Sequence, residues 1–517
     1  MSNKNNGSSD QQTPHRRKLS LLAPEHQDST NTIIVFGASG DLAKKKTFPA
    51  LFGLFKNNFL PKNTHILGYA RTPMDKEKFE DRITQYLKVS GNEDKAKLRE
   101  FLSRCKYING PYDKDEGYTK LRENIEWLES DGGASKNRIF YIALPPSVFV
   151  PVAQGIRRIC WEGEGERRIV VEKPFGKDLE SSRDLQKELG SLFTEEEIYR
   201  IDHYLGKEMV KNIIVLRFSN VFFGAVWNRD YVSNVQITFK EKFGTEGRGG
   251  YFDEYGIIRD VMQNHLTQIL SLVAMERPVS LSTEDVRDEK VKVLKSVVPI
   301  AESDILLGQY TKSSDGKNPG YLDDDTVPKG SKTPTFAALA LQVKNERWEG
   351  VPFILKCGKA LNDAKAEIRI QFKDVPGNIM PHRIARNELI IRVQPNEAVY
   401  VKLTNKMPGL TVDTTTTELD LSYDRRYADV KIPEAYEALL LDCINGDHAN
   451  FVRDDELDAA WKIFTPILHK IDEGKIQPSP YEYGSRGPKG LDDFIKRYGF
   501  IRDRSYHWSP KTDDSKL

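Results

Sequence analysis

Two hydrophobic periods divide the chain. From Thr32 onward, short unbroken apolar runs alternate with stretches whose apolar residues recur at helical spacing. Ile33-Ile34-Val35-Phe36, closed by Gly37, is the run expected of a strand buried on both faces. Residues 41–55 then place Leu42, Phe48, Leu51, Phe52 and Phe55 on one helical face, with a kink expected at Pro49. A second strand is predicted at His65-Ile66-Leu67-Gly68-Tyr69-Ala70, followed by a helix carrying Phe79, Ile83 and Leu87. Later strands are predicted at Arg138-Ile139-Phe140-Tyr141-Ile142-Ala143 and Arg168-Ile169-Val170-Val171. Strands alternating with helices at this spacing predict a doubly wound, mostly parallel α/β sheet over residues 32–200.

Beyond residue 200 the period changes to two. Val235-Gln236-Ile237-Thr238-Phe239, Glu367-Ile368-Arg369-Ile370-Gln371-Phe372 and Ala398-Val399-Tyr400-Val401-Lys402-Leu403 alternate apolar and polar, as antiparallel strands with one solvated or partnered face do. A long helix over 257–275 intervenes. Residues 201–508 therefore read as an α+β domain with a large antiparallel sheet and helices on one side. Residues 1–31 are polar and aperiodic and read as a solvated tail, as do 509–517.

Composition narrows the function classes. The 77 Lys and Arg balance 76 Asp and Glu, a net charge of +1, which argues against nucleic acid as a partner. No apolar run approaches the ~18 residues of a membrane-spanning helix, and no polybasic stretch suggests a membrane surface. The 4 cysteines, Cys105, Cys160, Cys357 and Cys443, form no CxxC pair, which argues against a zinc site or a disulfide framework and for a reducing compartment.

The chemistry concentrates in four segments. Gly37-Ala38-Ser39-Gly40-Asp41-Leu42-Ala43, with Lys44 next, lies between the first strand and the first helix, where a dinucleotide pyrophosphate docks on backbone amides. Its spacing is GxxGxxA rather than GxGxxG, so position carries the reading; the alternative is an ordinary tight turn. Arg71, at the end of the second strand, replaces the acid that holds a ribose 2′-hydroxyl and suits a 2′-phosphate, hence NADP rather than NAD. Glu172-Lys173-Pro174 follows a buried strand and delivers Lys173 to its carboxyl end; a solvated lysine in a Pro-Gly turn is the plainer reading. In Arg200-Ile201-Asp202-His203-Tyr204-Leu205-Gly206-Lys207-Glu208, a helix would put His203 and Lys207 on one face beside Tyr204, suited to a phosphate dianion. Asp202 would then be free to orient a histidine or, equally, would cap the helix. Positions 258, 261, 262, 265, 269 and 272 form a helical stripe that is apolar except for His265. Such a histidine is a satisfied core residue unless a carboxylate partners it, in which case it suits general-base catalysis, and Asp202 is the candidate partner.

These segments, together with Phe243-Gly244-Thr245-Glu246-Gly247-Arg248-Gly249-Gly250-Tyr251-Phe252 and Cys357-Gly358-Lys359-Ala360-Leu361-Asn362, resemble the glucose-6-phosphate dehydrogenase family over roughly residues 30–508. The resemblance implies a Rossmann-type NADP-binding domain followed by a substrate-binding and oligomerisation domain. It implies oxidation of glucose 6-phosphate at C1 to 6-phosphoglucono-δ-lactone, the first step of the oxidative pentose phosphate pathway. It assigns His265 as general base, Asp202 as its orienting partner and Lys173 as a contact of both substrate and cofactor. His203, Tyr204, Lys207 and Lys359 would hold the phosphate, and Glu241, Asp260 and Gln394 the sugar hydroxyls. Lys365, Arg369, Arg392, Tyr400, Lys402, Arg486 and Trp508 match positions that hold a second, structural NADP in some relatives; the alternative is a basic exposed sheet face. Three departures stand out: Ala364 and Lys356 replace arginines, and Phe149 replaces a cofactor-contacting tyrosine.

The resemblance also implies self-association to a dimer or tetramer and a cytoplasmic location. The terminal Ser515-Lys516-Leu517 matches a peroxisomal address, so a peroxisomal fraction is a further expectation. Two alternatives remain on sequence: an EKP-type sugar oxidoreductase acting on another substrate, and a catalytically silent NADP-binding sensor.

Overall fold

A computed structural model describes residues 29–130, 135–380, 382–428 and 430–503. Trp508, the 509–517 tail with its Ser-Lys-Leu end, and nearly all of the 1–31 tail lie outside the described residues.

The first sheet has six parallel strands: β1 (Thr30–Phe36), β2 (Asn63–Ala70), β3 (Cys105–Asn109), β4 (Lys136–Ile142), β5 (Arg167–Glu172) and β6 (Ile198–Ile201). Their spatial order is β3-β2-β1-β4-β5-β6. Every residue of β1 is buried. Ile34 and Phe36 enter the core on one face, Ile33 and Val35 the core on the other, which explains the unbroken apolar run. Because β1 pairs with both β2 and β4, the chain reverses its winding direction at the carboxyl end of β1, where open α/β sheets form their ligand crevice.

The helix leaving β1 does not simply kink at Pro49. It is wound with i→i+5 bonds over Ala43–Thr47 and becomes α-helical over Phe48–Lys56. Pro49 thus falls in the first turn of the α segment, where the change of winding tolerates its missing N–H.

The second sheet has nine strands in the order β14-β13-β12-β11-β7-β10-β9-β8-β15. They are β7 (Val232–Lys240), β8 (Ile305–Thr311), β9 (Phe336–Gln342), β10 (Pro352–Gly358), β11 (Lys365–Phe372), β12 (Glu388–Gln394), β13 (Ala398–Lys406), β14 (Thr414–Ser422) and β15 (Ser479–Glu482). The antiparallel expectation needs correction, because the sheet is mixed. β7 pairs in parallel with β10, and β15 with β8. Both parallel pairs join strands separated by long excursions through helices, which is the connection a parallel pairing needs. The helical stretch 258–274 packs across β7 and β10, and its stripe residues Ile258, Val261, Met262, His265, Ile269 and Leu272 are all buried.

A linear division at residue 200 does not anticipate one return of the chain. Helix Ala435–Ile444 packs Leu439, Leu440 and Ile444 into the core formed by Ile33, Phe48 and Tyr141, on one face of the first sheet. The strand-to-helix turn from Asp202 and the start of this helix thereby come together. Gly206 is required there: a Cβ on it would lie 2.4 Å from the Ala435 carbonyl oxygen.

Candidate active site

A cavity of about 630 Å³ opens where β6 ends, and its wall includes Lys46, Lys173, His203, Tyr204, Lys207, Glu241, Asp260, His265, Gln394 and Tyr436. The expected helix carrying His203 and Lys207 is not formed. Residues 202–207 make successive tight turns, with the Leu205, Gly206 and Lys207 amides donating to the Asp202, His203 and Tyr204 carbonyls. The helix begins at Glu208, with Lys207 at its cap position. These turns keep a near-helical advance, so His203, Tyr204 and Lys207 still line one cavity.

Asp202 and His265, 63 residues apart, meet at the centre. His265 Nδ1 lies 2.5 Å from Asp202 Oδ1, which also accepts the Tyr204 amide at 3.0 Å. Both side chains are nearly fully buried, at 3% and 2% exposure. Burial pulls the His265 pKa below its ordinary value against the attraction of Asp202. Burial also opposes charge on Asp202, but the His265 contact, His203 and the Tyr204 amide together hold its carboxyl below the usual range. The pair at rest is therefore a neutral imidazole on a carboxylate. With Nδ1 donating to Asp202, Nε2 is left as the basic atom. The Tyr204 ring stacks on His265 at 4.5 Å, and His203 meets it edge-on at 4.6 Å.

The polar wall is arranged in two ion pairs. Lys173 Nζ donates to the Asp260 carbonyl at 2.6 Å and lies 3.3 Å from its carboxylate. Lys359 Nζ donates to Glu241 at 2.5 Å. Gln394 ends β12 at the cavity wall. Tyr204 Oη is buried without a hydrogen-bond partner among the described residues. Lys207 pairs with no carboxylate among the described residues, and burial lowers its ammonium pKa. A phenol without a partner and a buried cation of depressed pKa are what a missing anion leaves behind.

At the crevice of the first sheet, Gly37 adopts φ +77°, and a Cβ there would lie 2.4 Å from the Ala143 carbonyl oxygen. The turn from Gly37 to Ala43 is thus as lean as a pyrophosphate cradle requires. Asp41 is held by Lys44 at 3.2 Å and Lys45 at 3.1 Å. Arg71 is exposed at the end of β2, its guanidinium 5.4 Å from the Tyr112 ring centre. An exposed guanidinium backed by an aromatic face fits a 2′-phosphate.

Comparison with known proteins places this geometry. The family model described as glucose-6-phosphate dehydrogenase, NAD binding domain, matches residues 34–212, and the model described as glucose-6-phosphate dehydrogenase, C-terminal domain, matches 214–509. The chain belongs to the glucose-6-phosphate dehydrogenase family. It is 60% identical over 487 residues to glucose-6-phosphate 1-dehydrogenase of Emericella nidulans, covering 94% of this chain and 95% of that one. It is 56% identical over 495 residues to that of Saccharomyces cerevisiae, covering 94% and 98%. A solved structure of glucose-6-phosphate dehydrogenase in complex with its substrate glucose-6-phosphate superposes with TM-score 0.89 at 53% identity, covering 93% of this chain and 99% of that one.

Within this glucose-6-phosphate dehydrogenase fold, two cavity residues, Lys46 and Tyr436, and one buried acid, Glu172, were not among the expected site residues. Lys46 is the third lysine after the cofactor turn. Asp41 engages Lys44 and Lys45, and Lys46 is the one that reaches the cavity wall. Tyr436 stacks on His203 at 5.8 Å and 10°. Glu172, the last residue of β5, is buried and hydrogen-bonded by Tyr141; burial pushes its pKa up to about 7. The lysine run was a signal for Lys46, but nothing local marked Tyr436.

The departures have structural counterparts. Phe149 is fully buried and contributes nothing to the crevice. Ala364 brings no cation, while Lys46 and Lys207 do line the cavity. On β11–β13 the cations Lys365, Arg369, Arg392 and Lys402 surround two nearly buried acids: Glu367 lies 2.9 Å from Arg369 and 3.2 Å from Arg392, and Glu388 lies 3.2 Å from Lys402. Tyr400 is buried beside them, and Arg486 pairs with Asp492 at 2.8 Å. Lys356 donates to Gln236 at 2.7 Å. Burial and then Lys240, Arg369, Lys365 and Arg502 drive its ammonium pKa well down.

Proposed function

We propose that this chain oxidises glucose 6-phosphate at C1 to 6-phosphoglucono-δ-lactone, with NADP as acceptor, as the first step of the oxidative pentose phosphate pathway. The observation that carries this reading is the buried His265–Asp202 pair, 2.5 Å apart, on the wall of a cavity that also presents Lys46 and Lys207. The test is NADPH absorbance with glucose 6-phosphate; no turnover at saturating NADP would overturn it.

The residues divide by chemistry. His203, Lys207 and the Tyr204 hydroxyl hold the phosphate, with Lys46 adding charge. Glu241 and Asp260, oriented by Lys359 and Lys173, accept sugar hydroxyls together with Gln394. His265 Nε2 takes the proton of the C1 hydroxyl, and Asp202 stabilises the imidazolium that forms. Holding the remote phosphate fixes C1 against the base, so binding at one end lowers the barrier at the other. Bound NADP supplies the hydride acceptor. Gly37, Ala38, Ser39, Gly40, Asp41, Leu42 and Ala43, with Lys44, would hold its pyrophosphate, Arg71 its 2′-phosphate, and Lys173 would contact it beside the sugar.

The pH dependence follows from His265. Its pKa is lowered by burial, and only the neutral form accepts the proton. The acid limb of kcat/KM should therefore lie below the ordinary histidine value of about 6.5, activity being lost as pH falls through it. Asp202→Asn removes the anion that attracts the proton, so the limb should move to still lower pH while the plateau drops about 10²-fold or more. A limb unmoved in that variant would separate the two residues.

We also propose a second NADP on the β11–β13 face, held by Lys365, Arg369, Arg392, Tyr400, Lys402, Arg486 and Trp508. Its support is a small cavity at this sheet lined by Lys240, Lys356, Arg486 and Arg502, where burial and the neighbouring cations lower the ammonium pKa of Lys240 and Lys356. NADP titration should saturate at two per chain. Arg71→Ala should weaken only the catalytic site, by about tenfold or more for NADP and little for NAD, as expected for one charge-assisted contact. Saturation at one per chain in the wild type would remove the second site.

Self-association to a dimer or tetramer through the sheet is supported by the edge strand β14, whose Leu419 is 68% exposed; light scattering of dilute protein checks it. No helix of the described residues is long and apolar enough to cross a membrane. The relatives from Arabidopsis thaliana and Solanum tuberosum include forms named cytoplasmic, and we place this chain there too. A peroxisomal share rests on Ser515-Lys516-Leu517 alone, and a purely diffuse fluorescent fusion of 506–517 would exclude it.

A further inference from the structure

Beside Asp202, and sharing Lys173 with the wall of the substrate cavity, lies a second space of about 30 Å³ that His265 does not line. That exceeds the ~10–15 Å³ a cavity needs to hold an ordered water. Most polar groups on its wall are already engaged. Trp461 Nε1 donates to the Phe175 carbonyl at 3.1 Å, and Arg259 Nε to the Lys177 carbonyl at 2.7 Å. Asn264 donates to the Arg259 carbonyl at 3.0 Å and accepts the His265 amide at 2.7 Å.

Three polar atoms of this wall have no partner among the described residues: Asp202 Oδ2, Gln263 Nε2 and Gln268 Oε1. Their residues are 2%, 5% and 3% exposed, so bulk solvent does not reach them. Two are acceptors and one is a donor. One water molecule offers the complement, two protons and a lone pair, and three hydrogen bonds is the usual number for a buried water. Leaving three such atoms unpaired beside a carboxylate would be costly, and neither a cation nor a larger ligand matches this donor set.

We propose that a single water is built into this site, donating to Asp202 Oδ2 and Gln268 Oε1 and accepting from Gln263 Nε2. Through it Gln263 and Gln268 are positioning residues for the catalytic pair. The proposal rests on the reading of His265 as base and Asp202 as its partner. The water fixes the second oxygen of Asp202, so that Oδ1 keeps its aim at His265 Nδ1. It also draws part of the carboxylate charge away from Oδ1. Removing it leaves more charge facing the imidazole, which favours the imidazolium. Lys173, Asp260, His203, Glu172, Tyr204 and Tyr436 also face the pair electrostatically, and they are unchanged in the variants below.

The test joins a high-resolution crystal structure of the full chain to kinetics of Gln263→Leu and Gln268→Leu, with thermal melting as the check on folding. The expected map has one density peak within hydrogen-bond distance of all three atoms. In Gln263→Leu, kcat should fall about tenfold, with the glucose 6-phosphate KM within about twofold. The acid limb should move up by roughly half a pH unit or more, opposite in sign to Asp202→Asn. An empty site, or a direct Gln263–Asp202 hydrogen bond, would overturn the proposal, as would an unmoved limb in a folded Gln263→Leu. If His265→Asn and Asp202→Asn keep wild-type kcat, the reading of the base itself fails. If they lose it while Gln263→Leu behaves as wild type, only the water fails. Should Gln263→Leu not fold, the wild-type density decides.

Discussion

His265→Asn should lower kcat for glucose 6-phosphate by about 10³–10⁴-fold, the upper range for loss of a general base, while KM for the sugar changes no more than a few-fold. Asparagine keeps an N–H that can face Asp202 Oδ1, so the buried carboxylate is not stranded and the fold survives. What disappears is the basic nitrogen opposite that contact. His203 offers no replacement. Its ring is edge-on to His265 at 4.6 Å, and among the described residues the Asp202 carboxylate hydrogen-bonds His265 instead. Burial and then His265 drive its own pKa far down, so it is a weak base. Steady-state NADPH formation with purified, correctly melting variant measures the loss. More than about a tenth of the wild-type kcat would place the base elsewhere, because general-base catalysis is worth at least about 10²-fold.

How much of this was legible in the chain differs from residue to residue. The strand Ile33-Ile34-Val35-Phe36 is apolar throughout because both faces of β1 are covered, a property local sequence can express. The stripe from Ile258 to Leu272 likewise lies buried along its whole length, and it marked His265 as the polar exception. Local period reports which faces are buried but not what they meet. The Asp202–His265 contact spans 63 residues and joins the end of β6 to the helix packed on the second sheet. The Lys359–Glu241 pair spans 118 and is set by the parallel register of β7 and β10. Winding was hidden as well. Residues Ile258–Leu266 are bonded i→i+5, and 202–207 form turns rather than a helix. In both places, side chains stay on one face over four residues whichever winding is used, so the pattern could not distinguish them. The parallel β7–β10 pair and the return of Leu439 and Leu440 to the first sheet depend on connections far longer than any local window.

Glucose without its phosphate should be turned over with kcat/KM at least about 10⁴-fold below that of glucose 6-phosphate, the discrimination expected where buried polar groups are left unpaired by the missing group. The Lys207 ammonium, lowered in pKa by burial, and the partnerless Tyr204 hydroxyl both need an anion that glucose cannot bring. Lys207→Ala sharpens the argument. It should cost glucose 6-phosphate about tenfold to a hundredfold in kcat/KM, the range for one or two charge-assisted contacts, and cost glucose almost nothing. The gap between the two sugars should therefore narrow by the same factor, whereas a mutation that merely loosened the fold would lower both rates together. Parallel progress curves on the two sugars, for wild type and variant, give all four numbers. Comparable rates on glucose and its phosphate in the wild type would favour an oxidoreductase for an unphosphorylated sugar. NADP binding without turnover of either would favour a silent sensor. Part of the phosphate's effect should appear in kcat rather than KM, because the contact at Lys207 is what holds C1 against His265 while the proton moves.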